Sequence, residues 1–146
     1  MRKMSEEVKI YLSGGMQDLT LEASLEWRNR FEDSINLLET DKKVTCFSPP
    51  KYYAPQDPDH KSEKEVFEFD KNMLKKSDLV VCYFNVPKSI GTAMELAWAK
   101  DWEIPVIGIC EKDDIRQLHT WLVECCTRFC NNIPEAISYI NDYYLR

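Results

Sequence analysis

The run Leu79-Val80-Val81-Cys82-Tyr83-Phe84, followed shortly by Ser89-Ile90-Gly91-Thr92-Ala93-Met94-Glu95, decides the fold. An unbroken apolar run of this length suits a strand covered on both faces, as in a parallel sheet between helices. A small-residue loop comes next, then a helix-like stretch from Glu95 to Trp102. In open α/β sheets such a junction lies at the carboxyl edge of the strands, where ligands bind.

The same alternation extends outward in both directions. Val8 to Leu12 is a short β-rich run ending in Ser13-Gly14-Gly15. From Thr20 to Glu39, Trp27, Phe31, Ile35 and Leu38 recur at helical spacing. Lys43 to Phe47 reads as a second strand. Ser48 to His60 is a loop holding Pro49, Pro50, Pro55 and Pro58, with Tyr52 and Tyr53. A loop of that length in a compact domain is usually functional. Ser62-x-x-Glu65 is a capping box that opens a helix reaching about Lys76. The spacing then predicts a helix from Thr92 to about Asp101, a strand from Ile104 to Cys110 and a helix from Asp114 to Cys125. A weak edge strand from Arg128 to Cys130 and a closing helix from Pro134 to Tyr144 follow. The repeated βα order predicts one α/β domain over residues 1–146, with a parallel sheet of about five strands between helix layers.

Composition narrows the function classes. The 146 residues suffice for one full core, and 44% hydrophobic with 30% charged residues is ordinary for a soluble globular protein. A net charge of -6 argues against general affinity for nucleic-acid backbones, which need a basic surface. No apolar run approaches membrane-spanning length. Met1 to Val8 lacks the apolar core of a signal peptide, so a cytoplasmic location is expected. Three of the six cysteines fall in apolar runs and read as free core thiols. The spacing of Cys125, Cys126 and Cys130 fits no common zinc pattern, and only His60 and His119 offer imidazoles, so no metal is expected.

Two acids stand out. Glu95 either closes a capping box with Thr92 or faces the crevice as a nucleophile. In the second case the helix N-terminus helps keep it ionised. Asp70 falls on the face marked by Val66, Phe69, Met73, Leu74 and Ser77. Lost hydration there raises its pKa unless it is paired, which poises it to donate a proton. The alternative is a buried Asp satisfied by a tyrosine or a backbone amide. Two acids converging on one crevice suggest acid/base or nucleophilic chemistry at a glycosidic bond. Asp78, by contrast, reads as part of a helix-to-strand turn.

The small-residue loops are less specific. Ser13-Gly14-Gly15 and Ser89-x-Gly91-Thr92 suit a small sugar or phosphate beside a helix N-terminus, or are plain turns. The first lacks the third glycine of a dinucleotide fingerprint, and no acid clearly ends the second strand, so NAD is not expected. Tyr11 ends the first strand with its ring on either face. Tyr52 and Tyr53 either stack on a base or pack the loop. His119 lies between Leu118 and Trp121, where packing or exposure is the default reading.

Taken together, Lys9-Ile10-Tyr11-Leu12-Ser13-Gly14-Gly15, Asp70 with Asp78, Ser89-x-Gly91-Thr92-Ala93-Met94-Glu95-Leu96-Ala97 and Ile104-Pro105-Val106-Ile107 resemble the nucleoside 2-deoxyribosyltransferase family. The related nucleoside 5'-monophosphate N-glycosidases share the pattern. The resemblance implies a flavodoxin-like doubly wound sheet and a retaining, two-step displacement without a cofactor. It implies that Glu95 attacks C1', that Asp70 protonates the departing base, and that Tyr11 positions the nucleophile. Ser13, Gly14, Gly15, Ser89, Gly91, Thr92 and Met94 then contact the substrate. A second nucleobase or water accepts the sugar.

It also implies a homo-oligomer in which a neighbouring subunit completes the site with a polar side chain after the fourth strand. Gln117 and His119 are the candidates. At position 89 many family transferases carry an Asp that holds the sugar 5'-hydroxyl, whereas the monophosphate hydrolases carry a serine that contacts the 5'-phosphate. Ser89 therefore leaves open a nucleotide substrate and hydrolysis. Two further readings remain: a nucleotide-binding sensor without chemistry, and a cytokinin-activating type phosphoribohydrolase. The latter also uses Gly-Thr-x-x-Glu, but after a double glycine that this chain lacks.

Overall fold

The computed structural model describes residues 6–16, 19–52, 62–86, 88–111 and 115–146. Five parallel strands form one sheet in the order β2-β1-β3-β4-β5. They are β1 (Glu7–Gly14), β2 (Lys43–Phe47), β3 (Leu79–Tyr83), β4 (Val106–Ile109) and β5 (Arg128–Cys130). The helices are α1 (Leu21–Asn36), α2 (Glu63–Lys75), α3 (Ile90–Asp101), α4 (Thr120–Glu124) and α5 (Ile133–Tyr144). The strand order reverses direction at β1, with β2 on one side of it and β3 to β5 on the other. That reversal opens a crevice at the carboxyl ends of β1 and β3.

The alternation of β1 sorts the two cores. Val8, Ile10 and Leu12 pack with Trp27, Phe31 and Ile35 of α1 and with Ile133, Ile137 and Ile140 of α5. Tyr11 faces the other way, among Leu74 of α2, Leu96 and Ala99 of α3 and Leu122 of α4. Tyr11 and Ser13 therefore point to the α2–α3 side, a choice the local sequence leaves open. β3 and β4 are buried along almost their whole length, as strands between two helix layers must be.

Several boundaries differ from the sequence expectation. α1 stops at Asn36 rather than Glu39, because Leu37 caps the helix and stands 83% exposed. β4 begins at Val106, not Ile104. The Ile104 amide is drawn back to Ala99 O at the end of α3, and Pro105 has no N–H to give the ladder. The expected helix from Asp114 to Cys125 is a 3-10 turn, Ile115–Gln117, and then α4. His119 divides them: its extended backbone breaks the helix, and its Nδ1 accepts the Trp121 amide at 3.1 Å. Of that expected helix, Asp114 lies outside the described residues, as do Tyr53, Pro55, Pro58 and His60 of the proline-rich loop.

Candidate active site

Three chain segments converge at the carboxyl edge of the sheet. β1 delivers Tyr11 and Ser13, α2 delivers Asp70, and α3 delivers Glu95. Ser89, not Thr92, is the N-cap of α3. Its Oγ accepts from the Thr92 amide at 3.4 Å and from Thr92 Oγ1 at 3.1 Å. A serine hydroxyl that accepts in this way still carries one hydrogen of its own to donate. The shift of the cap puts Glu95 in the second turn, so the Thr92–Glu95 capping box is not formed.

Glu95 turns inward instead. Ser13 Oγ donates to its Oε1 at 3.2 Å, and the buried Tyr11 hydroxyl acts on the same carboxylate. Burial pushes the Glu95 carboxyl up from 4.5 to about 7. The Tyr11 hydroxyl opposes that rise, the charge of Asp70 adds to it, and Arg28 and Ser13 oppose it. The expectation that the helix N-terminus depresses this group is corrected: the carboxyl sits too far into the helix, and desolvation wins.

Asp70 and Glu95 line one cavity of about 210 Å3, with Gly14, Ser89, Gly91, Thr92 and Met94 around it. One water needs only about 10–15 Å3 on this measure, so the space accommodates a small organic ligand. Larger depressions exist elsewhere. The one beside Ile104, Pro105 and Cys126 lies at the amino end of β4, away from both acids.

Gly14 and Gly15 play different parts. A Cβ on Gly14 would stand 2.9 Å from the Trp27 ring, so the glycine lets β1 close on the indole. A Cβ on Gly15 would stand 2.3 Å from Val86 Cβ, and the Gly15 amide already donates to Asn85 Oδ1 at 3.0 Å. Gly15 does not border the cavity. Gly91 is the reverse case: beyond its chain neighbours and the local backbone of α3, nothing lies within 4 Å of an added Cβ.

Other candidates resolve locally. Asp78 Oδ2 accepts the Lys9 amide at 2.9 Å, which ties the helix-to-strand turn to β1. Tyr52 stacks on Phe47 and meets Phe69 edge-on, so its ring is used in packing. His119 caps α4. Among the described residues no group of three His, Cys, Asp or Glu is placed to hold a metal ion, and no helix is long and apolar enough to cross a membrane.

Sequence reasoning missed four residues of this region. Met16, Phe67 and Trp98 also line the cavity, and Phe67 meets Trp98 edge-on at 5.2 Å. The signal was present, since each of these aromatics lies one helical turn from an acid, Phe67 before Asp70 and Trp98 after Glu95. Arg28 is the fourth. It is 1% exposed, on the stripe of α1 that also buries Ser24, Phe31 and Ile35. A cation on an apolar stripe was its signal. Burial lowers its pKa to about 10, so it stays charged at neutral pH.

No protein-family model matches the sequence, and no curated protein matches it significantly. Solved structures do. A conserved protein of Enterococcus faecalis V583 superposes with a TM-score of 0.75 at 18% identity, covering 93% of this chain and 98% of that one. The 2-deoxyribosyltransferase of Bacillus psychrosaccharolyticus gives 0.69 at 18% identity, covering 90% and 92%. The CMP N-glycosidase of Clostridium botulinum gives 0.55 at 18% identity, covering 92% and 98%. At these identities the likeness establishes a shared fold, the doubly wound α/β sheet that the family resemblance implied.

Proposed function

We propose that the protein cleaves the N-glycosidic bond of a 2'-deoxynucleoside through a glycosyl-enzyme ester on Glu95, and passes the deoxyribosyl group to another nucleobase or to water. The observation that carries this reading is the shared cavity of Glu95 and Asp70, with Ser13 bonded to the Glu95 carboxylate. The likeness to a deoxyribosyltransferase and an N-glycosidase agrees with it.

In the first half-reaction, Glu95 forms a bond to C1' as the C1'–N bond breaks, and Asp70 gives a proton to the departing base. In the second, the incoming base or water loses a proton to Asp70 as it attacks C1', and the ester breaks. Two displacements at one carbon retain configuration, and they replace one difficult step by two easier ones. Phe67, Met94 and Trp98 offer an apolar wall for a flat base.

One observation favours a 5'-monophosphate as substrate. The Ser89 hydrogen and the first amides of α3 are donors at a helix N-terminus, which suits an anion better than a neutral hydroxyl. A homo-oligomer also belongs to this reading. The outward face of α3 exposes Ile90 at 68% and Met94 at 41% beside the cavity, and a second copy would cover them.

The test is a product assay. Incubation with deoxyinosine plus adenine should yield deoxyadenosine and hypoxanthine, and incubation with deoxynucleoside monophosphates should yield free base if hydrolysis operates. Absence of both products at high enzyme concentration would overturn the proposal.

A further inference from the structure

Arg28 is a buried cation that makes no ion pair within 4 Å among the described residues. Instead its guanidinium is bonded to backbone. Nε donates to Leu12 O at 3.2 Å, one terminal nitrogen donates to Gly14 O at 3.1 Å, and the other donates to Ser24 O at 2.6 Å. Burying such a charge costs stability, and an apolar side chain of similar size is often tolerated better in a core. The arrangement therefore calls for a role other than stability.

The two β1 carbonyls that Arg28 grips flank Ser13, and Ser13 donates to Glu95 Oε1 at 3.2 Å. We propose that Arg28 is a positioning residue for Glu95: by bridging Leu12 O and Gly14 O it sets the strand end so that the Ser13 hydroxyl meets the carboxylate. Its positive charge acts on the same group. The other polar and titratable groups facing Glu95 are Tyr11 and Ser13 from β1, Asp70 from α2 and Cys82 from β3. Of these and Arg28, only Arg28 is a cation. This inference rests on the reading of Glu95 as nucleophile, yet its geometric content does not.

The experiment pairs kinetics with a titration that needs no turnover. Arg28→Lys keeps the charge and loses the two-carbonyl bridge, while Arg28→Met loses both. In Arg28→Met the Glu95 carboxyl, followed by carbon NMR, should titrate about one unit higher than in the native protein. In Arg28→Lys kcat should fall about 10- to 100-fold, because nucleophile misplacement costs that much, with KM within about twofold. Combining Arg28→Lys with Ser13→Ala should cost little more than either alone, since both break one linkage.

An unchanged Glu95 titration in a folded Arg28→Met protein would overturn the proposal, as would losses from Arg28→Lys and Ser13→Ala that simply multiply. If Arg28→Met does not fold, Arg28→Lys and the double variant decide. If the native protein turns over no nucleoside or nucleotide, the functional reading fails. The Glu95 titration, in Arg28→Met or else in Arg28→Lys, where the lost bridge should still move it, then judges Arg28 by itself.

Discussion

The hydroxyl of Ser13, at the end of β1, donates to Glu95 Oε1 of α3 at 3.2 Å across 82 positions of sequence. This bond joins the two sides of the crevice and holds a carboxylate that burial would otherwise keep protonated. Glu95 titrates at about 7 under those opposing influences. A nucleophile must be ionised, so kcat/KM for glycosidic cleavage should fall as the pH drops through about 7. A profile flat from pH 5 to pH 9 would contradict the assignment.

The same shift has a consequence for stability. Below pH 4.5 Glu95 is neutral in both folded and unfolded chains. Between 4.5 and about 7 the folded protein keeps the proton that the unfolded chain has released. Stability therefore falls as pH rises through this window, and the penalty is complete above it. Glu95→Gln should remove a destabilisation on the order of 3 kcal/mol at pH 8 and almost none at pH 4. Urea unfolding of both proteins at the two pH values measures this, and an equal difference at both would refute it.

On the proposed mechanism, Asp70→Asn removes the proton donor and leaves the nucleophile. The loss should be about 10²- to 10⁴-fold with an ordinary purine deoxynucleoside. It should be far smaller with a leaving group that departs readily as an anion, such as a nitrophenol glycosidically bound to deoxyribose. Equal losses on both substrates would remove Asp70 from the role of acid.

Ser89→Asp keeps a good N-cap for α3, because aspartate caps as well as serine. It also sets a negative charge where a 5'-phosphate would sit. The ratio of kcat/KM for a deoxynucleoside over its 5'-monophosphate should rise at least about 10-fold. Thermal unfolding should show the fold unharmed. An unchanged ratio would place any phosphate elsewhere.

The glycines separate packing from access. Gly15→Ala drives a methyl against Val86 and should cost about 1–3 kcal/mol in stability. Gly91→Ala meets nothing within 4 Å beyond its chain neighbours and the local backbone of α3 and should fold normally, yet its methyl lies at the cavity wall and should raise KM. A destabilised Gly91→Ala with unaltered KM would reverse this assignment.

Much of this molecule is written in short-range pattern. The apolar run Leu79 to Phe84, the helical spacing of Trp27, Phe31 and Ile35, and the Ser62–Glu65 cap each depend on neighbours a few positions apart. Strands and helices followed from them, and so did the parallel sheet that joins them. Asp70 and Glu95 were legible as candidate acids because each lies on a definable helix face. What the pattern could not settle was competition between near-equal local options. Ser89 and Thr92 both offer a cap, and the choice of Ser89 moved Glu95 from a terminal to an interior turn. Tyr11 alternates equally well to either face until the helices are in place.

The tertiary structure alone decided which groups share the crevice and how each is charged. A carboxyl's pKa depends on water withdrawn and charges brought near, and those arrive from α1, α2, β1 and β3 at once. Arg28 shows this most directly. Its place on an apolar stripe is a property of the chain, but its grip on Leu12 O and Gly14 O exists only when α1 lies across the end of β1. Bond geometry of that kind is a sum over distant segments, which no window of sequence contains.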